Sequence, residues 1–145
     1  MRTFALLLLC FIASVTQAQT ETSKTFGNYT VHYIAVNSTF IDADIAAKYH
    51  ITRSKRGAFL NIAVLRNDSD GKTTPVTAKL SGGKSNLMQQ SGQIAFQEIR
   101  EGDAIYYIGQ FDFSNAETLR FNVKVQPESK GETYSLEWTT QLYAD

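Results

Sequence analysis

The chain has 145 residues, 14 basic and 14 acidic side chains, a single cysteine and 43% apolar residues. That length and apolar content suit one domain with a core of its own. Balanced charge offers no basic surface for non-specific nucleic-acid binding, and one cysteine can form neither an internal disulfide nor a thiolate metal cluster.

Met1-Arg2-Thr3 precedes an apolar run from Phe4 to Val15, followed by Thr16-Gln17-Ala18. A positive start, a short apolar run and small residues before a cleavage point read as a secretory leader, with cleavage expected after Ala18. The run is shorter than the ~20 apolar residues of a membrane-spanning helix. Cys10 follows Leu9 in mid-run, so it is not placed as a lipoprotein cysteine and leaves with the leader. The expected product is one periplasmic domain, residues 19–145, with no disulfide and no membrane span after cleavage.

From residue 29 onward a period of two dominates, as expected of half-buried strands. The segment 29–36 predicts the first long strand, with His32 on the face of Thr30, Ile34 and Val36. Asn37-Ser38-Thr39 breaks it. Asp42 to Tyr49 (DADIAAKY) then predicts one or two helical turns. Asp42 can cap, the alanines favour helix, and Ile45 and Tyr49 share a face four residues apart. Phe40 and Ile41 are expected to pin this crossover to the core. Arg53, Lys55 and Arg56 follow, ahead of Gly57 and a second long strand over 58–66.

Asn67 to Lys72, with its Asp-Gly, reads as a polar turn. Shorter strands are expected at 75–81, 86–90 and 93–99, separated by turns at Gly82-Gly83 and Ser91-Gly92. The segment 104–113 is rich in β-formers and predicts a more buried strand. In 119–126, Leu119, Phe121, Val123 and Val125 alternate with Arg120, Asn122, Lys124 and Gln126. In 133–143, Tyr134, Leu136, Trp138 and Leu142 face inward. Hairpins are expected between 93–99 and 104–113, and between 119–126 and 133–143. Seven or eight short strands at this spacing predict an all-β fold: an immunoglobulin-like antiparallel β-sandwich with one short helix between the first two long strands.

Asn28, Asn37 and Asn67 each begin an N-x-[ST] glycosylation pattern. The structural alternative is stronger at Asn37, because Asn, Ser and Thr bond their own backbone and end strands at corners. His32 and His50, the only histidines, bracket Asp42 and Asp44. These four could supply a divalent-metal site, but their spacing matches no local metal motif. Ser69-Asp70-Gly71-Lys72 and Ser81-Gly82-Gly83-Lys84 spell the S-x-x-K of serine acylation. That chemistry needs the serine to open a buried helix, whereas both tetrads read as glycine turns. Arg53, Lys55 and Arg56 could dock an acidic partner or form a solvated loop. The many tyrosines fit a core rim better than a binding platform.

The runs VHYIAVNSTFI and IAAKYHITRSKRGAFLNIAVL resemble the signature region of a family of exported proteobacterial proteins, domain of unknown function 4426. The likeness is densest over 31–65 and extends over nearly all of the expected mature chain. Where IDADIA stands, relatives are expected to carry a proline, and where His50 stands, a glycine. The resemblance implies an envelope location and a small β-rich domain, and it transfers no catalytic residue.

With no thiol, triad, metal motif or nucleotide loop, the sequence points to a non-enzymatic binding or accessory module requiring no cofactor. Its partner is expected to be an envelope protein. Loops on a rigid scaffold usually carry recognition, and 37–57 is the longest irregular connection. Asn37, Thr39, Tyr49, Arg53 and Arg56 are the expected contact or organising residues. The alternative is a small-ligand or metal-binding protein using His32, His50, Asp42 and Asp44. A hydrolase ranks last.

Overall fold

The computed structural model describes residues 22–145, so the expected leader, its cleavage point and Cys10 lie outside the described residues. Ten strands form two antiparallel sheets. They are β1 (Ser23–Phe26), β2 (Tyr29–Asn37), β3 (Gly57–Asn67), β4 (Thr73–Pro75), β5 (Ala78–Asn86), β6 (Ser91–Gln93), β7 (Phe96–Glu101), β8 (Ala104–Asp112), β9 (Glu117–Pro127) and β10 (Tyr134–Leu142). The larger sheet runs β1-β2-β3-β8-β7, with β4 paired to β3; the smaller runs β10-β9-β5-β6. A 3₁₀ turn (Ser38–Phe40) and one helix, α1 (Ala43–Lys48), join β2 to β3.

The expected sandwich, its short helix and both expected hairpins are present. The extra strands are the short ones, β1, β4 and β6, whose three or four residues are too few to display a period. Two local expectations are overturned. Gly82 and Gly83 lie inside β5, and of 86–90, expected as a strand, Asn86 ends β5 while 87–90 form the turn joining β5 to β6. The glycines serve close packing of backbones: a Cβ at Gly82 would sit 2.2 Å from the Asn122 carbonyl oxygen, and one at Gly83 would sit 2.4 Å from that of Gly92.

The period of two accounts for the core. Leu119, Phe121, Val123 and Val125 of β9 point inward against Val31 of β2, Leu60, Ile62 and Val64 of β3, and Leu136 of β10. Tyr33, Phe111, Phe121 and Trp138 make an aromatic chain through the middle, with centroid separations of 4.6 to 5.1 Å. A second apolar cluster lies outside the larger sheet, where Ala46 and Ile51 cover Phe59, Ile99 and Ile108. This cover explains why Gly57 to Leu60 and Tyr107 to Gly109 are buried at successive positions, since both faces of the sheet are packed there. Ile41 joins this outer cluster, but Phe40 does not: it is 75% exposed, so it does not pin the crossover. Likewise Ala46, and not Ile45, is the inward residue of α1.

Candidate functional site

The crossover from β2 to β3 is built from local bonds. The Asp42 side chain caps α1 by accepting from the Asp44 amide at 3.0 Å. The helix ends in a Schellman motif: Ile51 N–H donates to Ala46 O at 2.8 Å, and His50 N–H donates to Ala47 O at 3.4 Å. His50 takes the left-handed position with φ 57°. Gln110 on β8 then clamps the exit, donating from Nε2 to His50 O and accepting from Thr52 N.

Asn37-Ser38-Thr39 is a corner tied on three sides. Ser38, 1% exposed, donates through Oγ to Ser54 O and accepts from Ser54 N at 3.0 and 2.9 Å. Asn37 Nδ2 donates to Tyr143 O at 2.7 Å, and the Thr39 hydroxyl bonds the Asp145 carboxylate. Arg53 Nη2 donates to Thr39 O at 3.2 Å. The Tyr49 hydroxyl bonds the Glu101 carboxylate, which raises the phenol's pKa above its ordinary value. Four of the five expected site residues therefore organise the crossover. Arg56, the fifth, is exposed and its side chain has no ion pair among the described residues.

Arg56 lines a hollow of about 530 Å³ with Lys84, Asn86, Gln90, Asp112 and Glu117. The hollow gathers the crossover, the β5–β6 turn, the β8–β9 link and the start of β9 at one end of the sandwich, and the bond from Asn37 to Tyr143 O brings the C-terminal residues to the same end. Large apolar side chains are exposed at this same end. Leu87 is 82% exposed, Met88 79%, Phe40 75% and Tyr143 59%. The turn presenting Leu87 and Met88 is fixed by Asn86, whose Oδ1 accepts from the amides of Met88 and Gln90 at 3.0 and 2.9 Å. Gln89 takes a φ of 61° to close it. Sequence reading missed Leu87 and Met88 because they were assigned to a strand. The available signal was Asn86, a turn-former directly before two bulky apolar residues and two glutamines.

The four candidate metal residues stay apart. His32 points outward from the middle of β2, opposite Ala63. Asp42 and Asp44 serve the start of α1, and His50 lies past its end near Gln110. The Gln110 row meets β3 at Phe59 and the His32 row meets it at Ala63, roughly 13 Å apart along the strand. Among the described residues no group of three His, Asp or Glu could hold a metal ion. In Ser81-Gly82-Gly83-Lys84, Ser81 pairs with outward Lys124 and Lys84 with inward Phe121, so serine and lysine leave opposite faces. Asp70 in the other tetrad closes its turn on the Lys72 amide.

The opposite end carries a polar clasp. Tyr29 donates to Glu128 at 2.6 Å, and Arg66 bridges Glu128 at 2.8 Å and Asp68 at 3.1 Å. Thr74 also donates to Asp68. The Tyr29 bond depresses the Glu128 carboxyl, and the Thr74 bond, followed by Arg66, depresses Asp68. Between the sheets, Tyr107 donates to Glu98 and accepts from the Ala78 amide, both at 2.8 Å; burial first, then the Glu98 bond, pushes its phenol to about 12.

Two solved structures of FetP from uropathogenic Escherichia coli strain F11 share this fold at 9% identity. A copper-bound variant aligns with a TM-score of 0.62 over 84% of this chain and 94% of that one. The as-isolated protein, recombinantly expressed in the periplasm, aligns at 0.60 over 84% and 93%. A DUF4426 family protein from Pseudomonas aeruginosa is 28% identical, with a TM-score of 0.73 over 85% of this chain and 94% of that one. No curated protein matches the chain. The family model described as domain of unknown function DUF4426 matches residues 23–145, and the chain belongs to that family.

Proposed function

We propose that the protein is a non-enzymatic binding or accessory module of the cell envelope, presenting the loop-bearing end of its sandwich to an envelope protein. The observation that carries this reading is the exposure of Phe40, Leu87, Met88 and Tyr143 at one end, on turns held by side-chain hydrogen bonds. Large exposed apolar groups gathered together favour a partner over bulk water. Arg53, Lys55 and Arg56 stand at the same end with Asp112, Glu117 and Asp145, a mixed rim that suits protein recognition. The leader-like N-terminus and the likeness to FetP support a periplasmic setting.

The test compares proteins recovered from envelope extract by the unmodified chain, by Leu87→Ser/Met88→Ser and by Arg53→Glu/Arg56→Glu. Loss of the same partner from both variants is the expected result; equal recovery by all three rejects the assignment. A second reading, metal binding, draws on the copper in the FetP variant, a likeness that at this identity carries the fold alone. His32, His50, Asp42 and Asp44 are dispersed, so a bound metal would need a different donor set. Stoichiometric copper, zinc or nickel in protein purified without chelator would favour it.

A further inference from the structure

The nine-residue β10 ends the smaller sheet: β9 pairs with it on one side, and no described strand pairs with it on the other. The register shows which backbone groups are left over. Glu128 N–H donates to Thr77 O, one step beyond the pairing of Ala78 with Pro127. Bonding alternates along an antiparallel ladder, so even-numbered residues of β9 bond β5 and odd-numbered ones bond β10. On β10 the partners of those odd residues are Tyr134, Leu136, Trp138, Thr140 and Leu142. Ser135, Glu137, Thr139 and Gln141 therefore direct their N–H and C=O groups away from the sheet, with no backbone bond to any described residue.

Sheet edges are ordinarily blunted by shortness, proline, lysine, bulges or a cover. Among the other edge strands, β1 and β6 have four and three residues, and β7 carries Glu98, Arg100 and Glu101. In contrast, β10 contains no proline and no basic residue, and its pairing with β9 runs from Tyr134 to Leu142 without a bulge.

The charges around this edge are chiefly positive. Lys24 pairs with Val31, a core residue, so it faces between the sheets, yet it is exposed. Its Nζ lies 5.2 Å from the Phe26 ring, which stacks on Tyr134 at the start of β10. On the outer face, Lys124 and Arg120 of β9 stand across from the short side chains of Ser135 and Thr139. None of these three cations has an ion pair among the described residues. Glu137, the one acidic residue of β10, already accepts from Asn122 at 2.8 Å.

We propose that the β10 edge takes an extended acidic peptide segment of a partner protein as an added strand. Backbone bonds to Ser135, Glu137, Thr139 and Gln141 would hold it. Carboxylates in the rows of Lys124 and Arg120, or over Lys24, would select it. The larger sheet supplies a floor, since Tyr134 lies over Phe26 of β1 and Trp138 over Tyr33 of β2. One strand has room beside β10, whereas a second copy of the chain would bring its own β1 into the same space.

The test titrates ¹⁵N-labelled protein with a short synthetic peptide alternating valine and glutamate, and with its valine–lysine counterpart. The glutamate peptide is expected to shift the amides of Ser135, Glu137, Thr139 and Gln141. It should bind about tenfold more tightly than the lysine peptide, the sum of two or three exposed ion pairs. Arg120→Glu/Lys124→Glu should reverse that preference. Thr139→Pro removes an N–H that the sheet does not use and should abolish binding. The charge-reversed variant gives the answer even where Thr139→Pro fails to fold. Equal binding of both peptides, shifts confined to other residues, or no shift at millimolar peptide would each overturn the proposal. So would dimerisation that shifts the same amides without peptide. None of these results bears on the apolar loop end, whose partner is read by recovery from extract.

Discussion

At His50 the backbone φ is 57°, a conformation costing a side chain about 1–2 kcal/mol relative to glycine. The imidazole is exposed at the end of α1, and the hydrogen bond from Gln110 uses only the backbone carbonyl. His50→Gly is therefore expected to raise stability by about 1 kcal/mol, read as a higher urea midpoint with unchanged slope. A glycine here, as the family resemblance leads one to expect in relatives, would relieve that strain. Ser38 is the opposite case. Its hydroxyl serves both the N–H and the C=O of Ser54, so Ser38→Ala leaves the Ser54 N–H without its acceptor, while the Ser54 carbonyl keeps the Gly57 N–H at 3.1 Å. A loss of about 1–3 kcal/mol is expected in chemical denaturation. The triplet Asn37-Ser38-Thr39 was legible as a corner because these residue types bond backbone. That the bonds reach Ser54, Tyr143 and Asp145 was not, since those partners are up to 106 residues away.

At the scale of elements, long strands were readable because one face is wet: Leu119 to Gln126 alternates without a break, and β9 follows it. Short strands and turns were less so. Gly82-Gly83 carries a turn composition, yet its glycines admit the neighbouring backbones of Asn122 and Gly92. Only the paired sheet reveals that need. Gly109 in β8 has the same character, as a Cβ there would lie 2.5 Å from Ile94 Cγ2 and 2.9 Å from the Phe96 ring. Gly109→Ala should cost about 1–3 kcal/mol through overpacking, measurable as a lowered thermal midpoint. The candidate site was half legible. The crossover could be located from its break in period, but Leu87 and Met88 could not be assigned to the same end without knowing that β5 and β8 finish together.

The whole molecule is closed at one end by Tyr29, Arg66, Asp68, Thr74 and Glu128, and between the sheets by the bond from the Ala78 amide to Tyr107, whose hydroxyl also donates to Glu98 on the neighbouring strand. Folded Asp68, Glu98 and Glu128 have depressed carboxyls. Their contribution is present above the ordinary carboxylate range and is lost as pH falls through the folded values. Tyr107 runs the other way: with a folded pKa of about 12 against 10.0, its contribution is intact below 10 and lost as pH rises through 12. Stability against pH should form a plateau with two shoulders. Glu128→Gln should flatten the acid one and Tyr107→Phe the alkaline one, each at a lower plateau, in urea melts across pH. The tie between the C-terminal residues and the crossover has a different consequence. Tyr143 and Asp145 hold Asn37 and Thr39, and Thr39 in turn holds Arg53. Carboxypeptidase trimming to Leu142 would release the crossover without touching it. Trypsin should then cut at Arg53, Lys55 and Arg56 sooner than in the untrimmed chain, so the ragged end of a preparation would set the lifetime of a loop a hundred residues upstream.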